Sequence, residues 1–418
     1  MTRVFVTGMG VVSPIAVGVD AFDAALDAGV DGAAEITRFD HEIFDRHIAC
    51  EVKDFVPRDH LTAAEVRRTG RCAQMALSGL RQALAQAGIA PERIAGPRTS
   101  VVIGTTMGEA NVLGELEAAW IHRGDGVIHP ARLPRYGTTL LPIHLARAIG
   151  ARGLVQTLPS ACAAGNYAIG FAAELIRAGR ADVVVTGASE VLEKLQFTGF
   201  ARLGAMSPDF VRPFDVDRKG LLVGEGAGIF ILESEAHAVA RDANVLAEVG
   251  GYGLACDAHH ITRPHPEGVG SLQAMRSALE TSQITPDKVD LVNAHGTATQ
   301  ANDAIEAMVL GQLFGASRPA VTGIKSMLGH CMGAASAIEA VSCVLSIQRD
   351  SAPPTTHHEQ CDPGCDIDIV VGAPRAMRCD VVLNNALAFG GYDAAVIFAK
   401  LGVLPDLSQA VAPLEARS

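Results

Sequence analysis

Residues 160–176 read SACAAGNYAIGFAAELI and residues 329–345 read GHCMGAASAIEAVSCVL. Each is a turn of small residues opening into an apolar helical pattern. Two further pairs follow the same order along the chain. VVIGTTMGEAN from Val101 parallels LVNAHGTATQAND from Leu291, and DVVVTGAS from Asp182 parallels DVVLNNALAFGG from Asp380. Three correspondences in one order indicate two duplicated halves, meeting near Glu235 to Val245. A pseudo-dyad relating them would set Cys162 and His330 across one central seam.

Short β-rich runs alternate with longer helical patterns from Arg3–Thr7 to Ala394–Phe398. The alternation indicates an α/β architecture with strands buried on both faces. The expected organisation is an N-terminal half over residues 1–240, a C-terminal half over 241–402 and a mobile tail over 403–418. Residues 108–137 read as an insertion covering the site or a dimer interface.

Composition narrows the function. The chain has 418 residues, 49% of them hydrophobic, and a formal charge of −12. It can bury a large core, and it has no basic surplus for non-specific nucleic-acid binding. The N-terminus opens on a strand pattern rather than a secretory leader, and no apolar run reaches membrane-span length. A soluble cytoplasmic protein is expected. Its nine cysteines show no framework-like spacing, and the pair Cys361 and Cys365 lacks a second ligand pair, so neither disulfides nor a metal site is expected.

Cys162 stands at the mouth of its helix, where the helix dipole and backbone N–H groups favour thiolate. His295 in NAHGT and His330 in LGH sit beside glycines at turns, which aim side chains into a cleft. Together they make a Cys-His-His acyl-transfer site: a nucleophile and two imidazoles able to stabilise an oxyanion or shuttle protons.

These residues, with VTGMGVVSP at Val6–Pro14, RPFDVDRKGLLVGEGAG at Arg212–Gly228, DAHHITRP at Asp257–Pro264 and AFGG at Ala388–Gly391, resemble the β-ketoacyl-acyl-carrier-protein synthases, the ketosynthases of the thiolase-like condensing enzymes. The resemblance runs from Val4 to about Lys400. It implies a five-layer αβαβα thiolase-like fold and decarboxylative Claisen condensation of an acyl group on Cys162 with malonyl-acyl-carrier-protein. It also implies that His295 and His330 bind the malonyl thioester carbonyl, that Lys325 supports one histidine, and that Glu306 is its buried acidic partner. By the same resemblance Thr297 and Thr299 bond the phosphopantetheine arm, and the backbone N–H groups of Cys162 and Phe389 form the oxyanion hole, with the Phe389 ring as a gate. Phosphopantetheine arrives on the carrier protein, so no resident cofactor is expected. The expected partners are an acyl carrier protein and a second subunit, either an identical copy or a chain-length partner.

The chain departs from the family where substrate choice is made. Before and after the gate it reads Leu387-Ala388-Phe389-Gly390-Gly391-Tyr392-Asp393, with Ala388 at a position the family leaves to glycine and Asp393 where small or amide residues are usual. Met107, Glu109 and Phe200 fall where acyl-pocket residues are found, and the Ser207–Arg212 loop is short. These differences favour a specialised type II polyketide pathway over housekeeping fatty-acid elongation. A thiolase would need a second cysteine in the AFGG loop, and the initiating branch an asparagine in place of one histidine. A non-catalytic chain-length partner would lack Cys162.

Overall fold

The computed structural model describes residues 2–124, 135 and 137–405. Its main sheet has eleven strands: β1 (Val4–Val12), β2 (Thr99–Gly104), β3 (Val155–Leu158), β4 (Val183–Glu190), β5 (Gly226–Ser234), β6 (Ala247–Cys256), β7 (Leu291–Asn293), β8 (Ala320–Thr322), β9 (Asp368–Ile369), β10 (Val381–Ala388) and β11 (Tyr392–Ala399). They run in the order β9-β8-β7-β10-β11-β6-β1-β5-β4-β2-β3.

The order is the same motif twice. From β1, the neighbours β5 and β4 are antiparallel, and β2 and β3 then add in parallel. From β6, the neighbours β11 and β10 are antiparallel, and β7 and β8 add in parallel. Among the described residues the two half-sheets pair, strand to strand, through Phe5 with Glu248 and Val6 with Ala247. Between β5 and β6 the chain passes through the short helix Glu235–Ala240.

Successive strand residues enter different cores, which requires apolar side chains at every position. Val184 of β4 and Phe230 of β5 join Val382 of β10 and Val396 of β11 in one central core. Their neighbours Val183, Val185 and Ile229 enter a core on the N-terminal side, while Val381, Leu383 and Ile397 enter one on the C-terminal side. This period-two division explains why the strands read as continuous apolar runs. Each such side chain contributes about 1.5–3 kcal/mol on burial.

The helices complete five layers. Helix α1 (Arg71–Ala87) packs outside β1 and β5, and helix α2 (Ala110–Arg123) follows β2. Helix α3 (Leu140–Ile149) packs on α1 and β2. Helix α4 (Ala164–Arg177) lies between the half-sheets, and α5 (Lys194–Leu203) follows β4. Helix α6 (Val269–Ser282) packs outside β6 and β11, α7 (Gln300–Phe314) packs on α6, and α8 (Ala335–Arg349) lies beside α4. The chain is thus the expected α/β, αβαβα fold. No described helix is long and apolar enough to cross a membrane.

The central helices meet at their N-termini because Gly165 has no side chain: a Cβ there would stand 2.4 Å from the Ala337 nitrogen. That contact brings the two duplicated helix starts, and with them Cys162 and His330, to one seam. Of the expected insertion, α2 is described, with Trp120 and Ile121 exposed, while residues 125–134 and 136 lie outside the described residues. The expected tail begins differently: Leu404 is buried in the C-terminal outer core beside Ile397, and residues 406–418 lie outside the described residues.

Candidate active site

Strand β3 hands the chain to Ala161, whose φ of 47° is left-handed, and then to one 3₁₀ turn, Ala161–Ala163, before α4 begins. A non-glycine residue held there costs roughly 1–2 kcal/mol. The turn is fixed from below. Ser336 donates to the Cys162 carbonyl at 3.4 Å and accepts the Asn166 N–H at 3.1 Å. Asn384 of β10 donates to the Asn166 side chain and to the Ser336 carbonyl, both at 2.8 Å, and accepts from Asn293 of β7 at 2.9 Å. These bonds join both halves beneath Cys162.

Cys162 is buried, and burial pushes its thiol up to about 12. The Lys325 charge and the backbone N–H groups of Phe389 and Cys162 act in the opposite direction without overcoming it. The expected resting thiolate is therefore corrected to a resting thiol: desolvation outweighs the helix start. The two N–H groups that favour the thiolate are the pair expected at the oxyanion hole.

His295 and His330 lie with ring centroids 5.4 Å apart and planes at 85°. Lys325 donates to Nδ1 of His295 at 3.3 Å and to its carbonyl oxygen at 2.6 Å. The Met332 N–H donates to Nδ1 of His330 at 3.2 Å. With Nδ1 accepting in both rings, each neutral imidazole carries its proton on Nε2. Burial and the Lys325 charge hold both well below the ordinary histidine range, so both are neutral donors.

The Lys325 partner is Glu339 on α8, not Glu306. Both members of that pair are almost wholly buried. Glu306 on α7 instead accepts the backbone N–H groups of His295 at 2.7 Å and Gly296 at 2.8 Å, and the Asn385 amide at 2.7 Å. It braces the turn that carries His295, whose left-handed Gly296 and Ala298 leave donors that need such an acceptor. Sequence reading missed Glu339, although a lone carboxylate in an otherwise small and apolar helix is the kind of residue a buried cation requires.

A cavity of about 670 Å³ opens onto Cys162, His295 and His330, and is lined further out by Thr297, Thr299 and Phe389. The two threonine hydroxyls stand 3.0 Å apart. Met107 and Phe200 lie outside this lining. Phe200 stacks on Phe389 with centroids 5.6 Å apart, so it touches the gate. Met107 donates its N–H to buried Glu190 at 3.1 Å, and Glu109 accepts the Ala73 N–H at 2.7 Å at the start of α1. Met107 is thus tied to Glu190 through its backbone and Glu109 to the start of α1 through its carboxylate, and neither lines this cavity.

Ala388 ends β10 in register with Tyr392 and lies outside the left-handed region, whereas Gly390 and Gly391 have φ of 85° and 76°. The hairpin needs glycine after Phe389, not before it.

The family model described as "Beta-ketoacyl synthase, N-terminal domain" matches residues 1–238, and "Beta-ketoacyl synthase, C-terminal domain" matches residues 246–359. The chain is 37% identical over 407 residues to 3-oxoacyl-[acyl-carrier-protein] synthase 2 of Synechocystis sp., covering 95% of this chain and 98% of that relative. It is 36% identical to the protein of the same name from Coxiella burnetii, covering 96% and 99%. Among solved structures it resembles a chain of "The ishigamide ketosynthase/chain length factor", with TM-score 0.93, 39% identity and 96% and 100% coverage. It also resembles a chain of a type II PKS acyl-carrier protein in complex with its ketosynthase, with TM-score 0.88, 30% identity and 96% and 99% coverage.

Proposed function

Because this chain belongs to the β-ketoacyl synthase family, we propose that Cys162 takes an acyl group from a carrier protein and condenses it with a carrier-bound malonyl unit. In the first step Sγ attacks the incoming thioester carbonyl, the C–S bond to the carrier breaks, and the thiol proton ends on the departing carrier sulfur, which leaves as the free thiol. In the second, the malonyl thioester carbonyl accepts from Nε2–H of His295 and of His330. The carboxylate then departs as CO2, and its electron pair forms an enolate that both donors stabilise. The enolate carbon attacks the Cys162 thioester. The resulting oxyanion accepts from the N–H groups of Cys162 and Phe389, then collapses to the β-keto product and expels Sγ as a thiolate, which takes up one proton from solvent to restore the resting thiol. A proton on His295 would lie beside the Lys325 ammonium, so His330 is the better place for one in transit.

The convergence of one buried thiol with two Nε2–H donors carries this reading. Intact-mass analysis with a panel of acyl-carrier proteins tests it: acyl adducts on the wild type that vanish in Cys162→Ala support it, and adducts that persist overturn it.

The gate sequence and the likeness to a chain of the ishigamide assembly favour a type II polyketide pathway. The relatives named 3-oxoacyl-[acyl-carrier-protein] synthase 2 favour fatty-acid elongation as the second reading. The complete Cys-His-His constellation speaks against a non-catalytic chain-length subunit. Thr297 and Thr299 would bond the phosphopantetheine arm brought by the carrier protein, with no resident cofactor. We place the enzyme in the cytoplasm, paired with an identical copy or a chain-length partner.

A further inference from the structure

Two carboxyl groups meet behind the gate. Asp257, at the end of β6, accepts the N–H of His265 at 2.9 Å and of Gly270 at 3.2 Å. Asp393, on β11, points at the same spot: a Cβ built on Gly270 would stand 2.1 Å from Asp393 Oδ2 and 2.7 Å from Asp257 Oδ1. Both residues are buried and line the substrate cavity. Asp393 Oδ2 has no donor among the described residues. An orphan acceptor facing another acceptor is satisfied when one carries a proton.

The surroundings favour that proton. Burial first, then Asp257 and, further off, Glu306 push Asp393 up to about 8. The Tyr167 phenol also faces it from α4, while His260 and Arg263 line the same cavity. The two segments that bear the pair are also joined through their backbones. Asp257 donates its N–H to the Gly391 carbonyl at 2.9 Å, and Gly390 donates to Ile261 at 2.7 Å.

We propose that Asp393 is a positioning residue for the Phe389 gate, locking the 387–393 hairpin to the 257–265 loop through one proton shared with Asp257. This rests on the reading of Phe389 as the gate to Cys162. In the closed hairpin the proton is held. An opened, solvated pair releases it. The closed form therefore loses ground by up to about tenfold per pH unit as pH rises toward 8, and no further above it. An amide at this position would bond Asp257 at any pH.

Hydrogen exchange of the 387–393 hairpin, expressed as protection factors between pH 6 and 9, tests the lock without reference to catalysis. In the wild type, protection should fall up to pH 8 and then level. In Asp393→Asn and in Asp257→Asn it should be nearly constant. The acyl-loading rate of the wild type relative to Asp393→Asn should rise over the same interval. The same pH course of protection in all three proteins overturns the proposal. A wild type that shows the pH-dependent protection but never loads acyl groups would instead count against the ketosynthase reading alone.

Discussion

Lys325 and Glu339 close on each other at the centre of the molecule, and the same ammonium reaches Nδ1 and the carbonyl oxygen of His295. One cation thus sets the tautomer and the position of the His295 imidazole, while its charge is balanced from α8. Replacing Lys325 by Met leaves Glu339 buried without its partner and should cost about 3–5 kcal/mol of stability. Adding Glu339→Leu should recover most of that loss in denaturant melts. Condensation should stay about 10²-fold down in both variants, because His295 is no longer held.

His295→Ala and His330→Ala should each slow malonyl decarboxylation by about 10²–10³-fold, the usual cost of losing an oxyanion donor. Acyl loading onto Cys162 should fall less than about tenfold. Rapid-quench assays of the two half-reactions separate them. Equal losses in both would refute the division of labour.

Both rings are held neutral, and their folded values lie below the unfolded one near 6.5. Unfolding therefore takes up protons, and stability should drop as pH falls below about 6.5. Melts from pH 7.5 to 5 in the wild type and the His330→Ala variant should show a shallower fall in the variant.

With its thiol near 12, Cys162 should react with a small alkylating agent about tenfold faster per pH unit from 7 to 10, with no plateau. Peptide mapping distinguishes it from the exposed Cys256 and Cys361. A plateau near neutral pH would mean that the helix start does win.

Asn384→Ala removes bonds to Asn166, Ser336 and Asn293 at once. It should cost about 1–3 kcal/mol for each buried group left unpaired, and acyl loading should slow as the Cys162 turn loosens. Urea midpoints and loading rates report the two effects separately.

The fold was legible because its signal is repeated: three stretches around Val101, Ser160 and Asp182 recur around Leu291, Gly329 and Asp380, and these fall on β2, α4, β4 and β7, α8, β10. The candidate site residues Cys162, His295 and His330 were legible for a related reason, since each ends a strand or opens a helix beside small residues. What sequence does not carry is pairing across the seam. Glu306 shares its helix with Asp303 while Glu339 is the one acid of its own, and only their placement shows that Glu306 takes backbone N–H groups and Glu339 the lysine. Nor does spacing reveal desolvation, so the Cys162 thiol was read from its helix start alone. Met107 and Glu109 follow a strand end as pocket residues do, yet their loop turns inward around Glu190.

Among the described residues the two duplicated sheets are paired through Phe5–Glu248 and Val6–Ala247, while the thiol comes from the first copy and both imidazoles from the second. Each copy can gather its own strands through contacts inside its own length, but no arrangement of either alone assembles the reacting groups. Docking of the copies buries α4 against α8 and needs contacts between distant parts of the chain, which form slowly. Enzyme activity recovered after dilution from denaturant should consequently lag behind the return of helical signal, making turnover itself the reporter of the last step in folding.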